Sequence, residues 1–244
     1  MTAGAERLVA SPVFVLSSIR SGSTLLRCIM NSHPHVHAPY ELHLVDLSVH
    51  LDSPFAHLAM QVAGLDNRQL EHLLWDRLLH RELTRSGKRL IVDKTPTNVL
   101  RWQRVAECWP QARYVFLLRH PLRVVQSAIV ARPHATPAES TDLVRLFLAR
   151  LDEARRSLPG VTIRYEDLTR RPEQVVRGLC GDLGVEWDPG MLDYGRYDHG
   201  PFRAGIGDFT ERIRTGRVLP GRPNPTEPEI PEELRSLCRR LGYL

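Results

Sequence analysis

Long apolar runs are missing from this chain of 244 residues. No stretch reaches the ~18 consecutive apolar residues that a membrane-crossing helix needs. Lysine is nearly absent as well: Lys88 and Lys94 are the only two, so the net charge of +5 rests on arginine. Codon bias could produce that, and arginine abundance alone decides nothing. The basic balance suits an anionic ligand, but the arginines are dispersed and not clustered with aromatics, which speaks against nucleic-acid binding. Cysteine is scarce and scattered. Cys28, Cys108, Cys180 and Cys238 form no CxxC pair, which argues against a zinc site or a disulfide frame and for reduced thiols. The opening MTAGAERLVA lacks the charged-then-apolar order of a secretory leader, so the expected location is the cytoplasm.

What is present is concentrated first in Val13–Met30. An apolar run, Val13–Leu16, reads as a buried strand. It breaks at Ser17-Ser18-Ile19-Arg20-Ser21-Gly22-Ser23-Thr24 and resumes with the helical pattern Leu25, Leu26, Ile29, Met30. A strand, a small-residue turn and a helix start bring unpaired backbone N–H groups together where the helix dipole favours negative charge. Arg20 adds a fixed cation, and Ser21, Ser23 and Thr24 add hydroxyls. An ordinary strand–turn–helix corner rarely gathers that set.

The rest of the chain alternates in the same way. Asn31–Leu44 is interrupted by Pro34 and Pro39 and reads as a loop or irregular extended segment; its alternating His33, His35 and His37 converge poorly for a metal. A helix is expected over about Asp66–Leu83, punctuated by Gly87, and a second buried strand over Arg89–Asp93. Thr97 is placed to cap a helix through Val99, Trp102 and Val105 that Pro110 stops. Tyr114–Leu118 is the clearest strand, with Pro121 opening the next helix. A long amphipathic helix carries Leu143, Leu146, Phe147 and Leu151; Val161–Tyr165 makes a fourth strand, and Pro172 begins a further helix. Gly195–Pro231 is rich in Gly, Pro and Arg and reads as covering loops, and Glu232–Leu241 as a last helix docking on the sheet. The expected architecture is a single α/β domain over 1–244, a P-loop-like, doubly wound parallel sheet flanked by helices. Its core spans 10–190, the covering region 195–231 and the terminal helix 232–241.

In such sheets ligands sit beyond the carboxyl ends of the strands. Arg20, Lys94 and Arg119 each fall just past one, which points to a single shared site. The turn lacks GxxxxGK[ST], so the lysine and the Mg²⁺-holding hydroxyl of ATPases and GTPases are not in place, and no metal is expected. A nucleotide-dependent kinase and a non-catalytic nucleotide-binding module stay open as alternatives.

Three separated segments carry a family resemblance. Ser18–Thr24 resembles the 5′-phosphosulfate loop of sulfotransferases that use 3′-phosphoadenosine-5′-phosphosulfate (PAPS). Tyr114–Ser127, with Arg119 and Ser127 eight apart, resembles the segment that grips the cofactor's 3′-phosphate. Phe202-Arg203-Ala204-Gly205-Ile206-Gly207-Asp208-Phe209 resembles the late glycine loop that closes over that phosphate. Tyr165 falls where the family places an adenine-contacting tyrosine. The resemblance implies PAPS as donor, 3′,5′-ADP as product and an acceptor hydroxyl. Arg20 with Ser21, Gly22, Ser23 and Thr24 would hold the phosphosulfate; Arg119, Ser127, Arg203 and Gly205 would hold the 3′-phosphate.

Two departures sharpen what is implied. Many cytosolic members place a histidine base where this chain has Pro96. Other branches, the protein-tyrosine sulfotransferases among them, use a glutamate about twenty residues after the loop arginine, and Glu41 stands there. Glu41 is therefore the candidate base, with His43 and His80 as lesser ones, and Arg20 and Lys94 as the cations at the leaving phosphate. Leu25 replaces the tryptophan on which other members stack adenine. The Glu41-Leu42-His43-Leu44 segment also resembles bacterial sulfotransferases of natural-product pathways, some acting on carrier-bound β-hydroxyacyl chains. The implied acceptor is a small molecule or a carrier-protein-bound metabolite.

Overall fold

The computed structural model describes residues 7–203 and 211–244. Five parallel strands form one sheet: β1 (Val13–Ser17), β2 (Val36–His37), β3 (Leu90–Asp93), β4 (Arg113–Leu118) and β5 (Gly160–Arg164), in the order β2-β3-β1-β4-β5. β1 is central. Val13 pairs with Val92 of β3 on one side, and Val13 to Ser17 pair with Arg113 to Leu117 of β4 on the other. Strand order reverses at β1, so its carboxyl end opens into the crevice where a ligand fits.

Helices cover both faces, which is why Val13–Leu16 of β1 and Val115–Leu118 of β4 are apolar at consecutive positions and not at alternate ones. Phe14, Leu16, Phe116 and Leu118 face one core with Trp75, Val105 and Trp109; Val13, Val15, Val115 and Leu117 face the other with Leu26, Ile29 and Val176. The second core is closed by α1 (Ser23–Asn31) and α8 (Pro172–Asp182), the first by α3 (Asn67–Ser86), α4 (Trp102–Cys108), α5 (Pro121–Ala131) and α6 (Pro137–Ser157). The remaining helices are α2 (Pro54–Val62), α7 (Tyr165–Arg170), α9 (Glu211–Arg214) and α10 (Glu232–Leu241).

Helix boundaries follow their caps. Asp66 accepts from the Gln69 N–H while Gln69 returns the bond, and Thr136 and Glu139 do the same at α6. Gly87, at φ 65°, ends α3 in the left-handed region. Several expectations are corrected. The Asn31–Leu44 segment contains the edge strand β2, bonded to Leu90 and Ile91; two residues between prolines carry no readable period. Thr97 is no cap: the chain turns through a 3₁₀ segment, Pro96–Arg101, before α4, and the Thr97 hydroxyl donates to Asp46. Tyr165 begins α7 and does not end β5. The apolar stripe of α10 meets α5 and α6 where the sequence suggested the sheet.

A buried carboxylate ties the amino-terminal arm to this frame. Asp76 accepts from the backbone N–H groups of Leu8 and Val9 and from the Trp109 indole, at 2.7, 3.1 and 3.2 Å. Asp76→Ala strands three donors and is expected to cost at least ~2 kcal/mol. Urea unfolding measures it, and a loss under ~1 kcal/mol contradicts the assignment.

Candidate active site

The turn after β1 is built on two left-handed residues. Arg20 sits at φ 57° and Gly22 at φ 88°. Only glycine serves at 22: a Cβ there would stand 2.3 Å from Cδ2 of Tyr165. The Ser21 hydroxyl donates to the Ser18 carbonyl at 2.7 Å, so it closes the turn from within. Gly22, the residue that opens α1, has no side chain with which to cap it, and the first helical residues Ser23 and Thr24 line a cavity together with Gly22. The positive end of the helix dipole therefore faces that space.

The cavity measures about 800 Å³. Arg20, Arg119, Ser127 and Glu41 all reach it. Arg20 Nε donates to Ser127 Oγ at 3.3 Å, which links the loop to α5. Arg119 donates from Nη1 to the Arg20 carbonyl at 2.8 Å, and its guanidinium lies 4.4 Å from the Tyr165 ring centroid. Tyr165 is thus packed between Arg119 and Gly22 and also lines the cavity.

Glu41 stands opposite this cationic end. Its carboxylate pairs with the Lys94 ammonium, and its other oxygen lies 3.6 Å from Nε2 of His43. Lys94 is wholly buried, and desolvation lowers its pKa while Glu41 pulls the other way. Lys94 does not line the cavity and meets it through Glu41. His43 is held by Asp46 at 3.1 Å, and neither it nor His80 on α3 lines the cavity. Pro96 does, beside Glu41.

Reading the sequence missed the parts that hold this arrangement. Thr95 Oγ1 accepts from the N–H groups of Leu42 and His43 and donates to buried Asp93 at 2.9 Å, which fixes the arm bearing Glu41. From α1, buried Arg27 donates to the carbonyls of Ala38 and His199, and Asn31 bonds the Ala38 N–H and the Asp198 carbonyl. Arg123, Arg212, Arg217 and Arg222 also line the cavity, bringing its arginines to six against the single carboxylate of Glu41 among the described residues. The arginine content of 195–231 was the available signal for three of them. Arg203 is exposed and stands outside the cavity lining, and Gly205 lies outside the described residues. Among the described residues no cluster of His, Cys, Asp or Glu could hold a metal ion, and no helix is long and apolar enough to cross a membrane. His33 instead meets the Glu186 carbonyl, and His37 lies 3.9 Å from Glu82.

A central parallel strand, a left-handed turn and a helix start facing an arginine-lined crevice define a P-loop-like α/β domain. The sulfotransferase family model matches residues 12–189, and the chain belongs to that family. It is 25% identical to the nodulation protein NoeE of Sinorhizobium fredii over 208 residues, 71% of this chain and 50% of that one. The chain thus spans about half the length of this curated relative. In fold it is similar to the sulfotransferase domain of the curacin biosynthetic pathway, with a TM-score of 0.71, 24% identity, and 98% and 99% of the two chains covered. It is also similar to the sulfotransferase domain of the Synechococcus PCC 7002 olefin synthase, with a TM-score of 0.68, 24% identity and 97% of each chain covered.

The Gly22 geometry gives a direct test. Gly22→Ala meets both a left-handed backbone and the Tyr165 ring, so it is expected to lower Tm and abolish nucleotide binding. Gly64, at φ 72° with open space around it, is the control; Gly64→Ala is expected to cost only ~1–2 kcal/mol and leave binding intact. Calorimetry and thermal melts read both, and a Gly22→Ala protein that still binds contradicts this role.

Proposed function

We propose that the protein transfers a sulfuryl group from PAPS to the hydroxyl of a small or carrier-bound acceptor. The observation that carries this reading is that one cavity joins the Gly22 turn and Arg20 to Arg119 and Ser127, with Glu41 as its single carboxylate among the described residues. A donor with phosphate groups at two ends of a nucleoside needs two such anion sites, and the lining residues fit both. When bound, PAPS supplies the sulfuryl group and a phosphate leaving group.

The chain's own residues divide the remaining work. The N–H groups at the start of α1 and the Arg20 guanidinium hold one anionic end, and they are oriented before any ligand arrives. Arg119 and Ser127 take the 3′-phosphate, while Arg203 stands outside the lining that would hold it. Glu41 accepts the proton of the acceptor hydroxyl. Lys94 holds the Glu41 carboxylate in a single orientation, and its cation lies behind that carboxylate as the second positive charge at the reacting end. Ile19, Pro96, Ile129 and Val130 give the cavity an apolar wall for the carbon skeleton of the acceptor.

Calorimetry with 3′,5′-ADP tests the cofactor assignment. The product is expected to bind at least about tenfold tighter than 5′-ADP, as a charge-assisted phosphate contact requires. Equal binding of the two, or none at millimolar nucleotide, overturns it. Glu41→Gln is expected to lower kcat by about a hundredfold or more while 3′,5′-ADP affinity stays within about twofold. Turnover near that of the wild type excludes Glu41 as the base.

A further inference from the structure

Arg119 and Tyr165 are each followed by a residue that faces elsewhere. His120 and Glu166 meet outside the cavity, beside a separate surface recess lined by Arg164, Glu166 and Tyr243. Glu166 Oε1 accepts from the His120 backbone N–H at 2.9 Å, and Oε2 accepts from the Tyr243 hydroxyl at 2.9 Å. The carboxylate therefore bridges the peptide that carries Arg119 to the end of the chain.

That end is itself clasped. The His120 ring packs edge-on against Tyr243, with centroids 5.0 Å apart. The Arg164 guanidinium lies 4.5 Å from the Tyr243 ring centroid and donates to the Leu241 carbonyl at 3.0 Å. Gly242, at φ 74°, passes so close that a Cβ would stand 2.8 Å from Arg164 Nη2. Burial and the neighbouring Glu166 charge push the Tyr243 hydroxyl pKa far up, so it stays a proton donor at any ordinary pH.

Neither Glu166 nor Tyr243 lines the main cavity, so neither is placed to touch a ligand there. Their effect is on geometry. Both oxygens of Glu166 are engaged away from the Arg119 guanidinium, for which this nearby carboxylate would otherwise compete with a phosphate. The peptide following Arg119 is pinned on one side, while the Arg119 side chain is pinned to the Arg20 carbonyl and the Tyr165 ring on the other. Resting on the proposed cofactor, we infer that Glu166, held by Tyr243, is a positioning residue that fixes Arg119 for the 3′-phosphate. It thereby sets the preference for 3′,5′-ADP over adenosine 5′-monophosphate, which differs only in lacking that phosphate.

The test is calorimetry of both nucleotides against the full chain. Glu166→Ala is expected to weaken 3′,5′-ADP by about tenfold or more, the cost of a misplaced charge-assisted bond, and the monophosphate by less than about twofold. Glu166→Gln should retain the preference, because its amide oxygen accepts from His120 and its amide N–H donates to Tyr243. Tyr243→Phe should show a selective loss of about threefold, and it carries the test if Glu166→Ala does not fold. Equal weakening of both nucleotides, or no weakening in either variant, overturns the inference. A wild-type protein that binds both nucleotides alike overturns the cofactor reading and this inference with it. A preference that survives Glu166→Ala overturns this inference alone.

Discussion

The guanidinium of Arg119 joins three strand ends. It leaves β4, donates to the carbonyl of Arg20 in the turn after β1, and lies over Tyr165, the first residue after β5. The turn needs that support. A non-glycine residue in the left-handed region costs about 1–2 kcal/mol, and Arg20 occupies it at φ 57°. A charge-assisted hydrogen bond contributes about 1.5–3 kcal/mol, and a desolvated cation–π contact about 2 kcal/mol, so the contacts outweigh the strain. The same contacts press Tyr165 against Gly22, which is why that position has no room for a side chain. Loop shape, helix start and cation position are thus one constraint seen from three strands.

The other end of the cavity depends on a different buried charge. Lys94 has no exposed surface, and an unpaired ammonium there would be costly enough to lose its proton. Glu41 is its partner. Because Thr95 binds the two N–H groups that follow Glu41 and is itself held by Asp93, the carboxylate arrives on a fixed arm. The nearby imidazole of His43 points to Asp46 with its other nitrogen. A buried pair of this kind is weak ground for stability but strong ground for orientation, and orientation is what a general base requires. The lysine thus acts on the site as part of the carboxylate's mounting.

Most of this frame was legible before any coordinates. The apolar runs of β1 and β4, Asp66 at the start of its helix, and Pro121 after Arg119 carry local signals that the fold obeys. The shared placement of Arg20, Lys94 and Arg119 just past strand ends followed from the alternation of strands and helices. What stayed hidden lacks a local signature. β2 is two residues between prolines and exists only because Leu90 and Ile91 offer an edge. The inward turn of the Ser21 hydroxyl is set by the Ser18 carbonyl, and the burial of Lys94 is set by the arm that crosses it. Arg27 and Asn31 look like an ordinary polar break in an apolar helix. Their function depends on the Ala38 and 198–199 backbones, which the sequence leaves far apart.

The covering segment shows how charge without periodicity acquires meaning. Arg212 donates to the Pro220 carbonyl at 2.7 Å, and Arg123 holds the Pro223 carbonyl at 2.7 and 3.0 Å. Farther along, Gly195 and Gly216 cross so closely that a Cβ on either would stand within 2.7 Å of the other's backbone. These bonds fix the segment through backbone carbonyls. Six arginines face one cavity whose single carboxylate among the described residues is already paired with Lys94. Like charges gathered around one cavity repel one another, and a polyanionic ligand of the kind proposed offsets that repulsion. The segment that carries charge without a period is thus held by carbonyl contacts, and its Arg212, Arg217 and Arg222 reach the cavity from that frame.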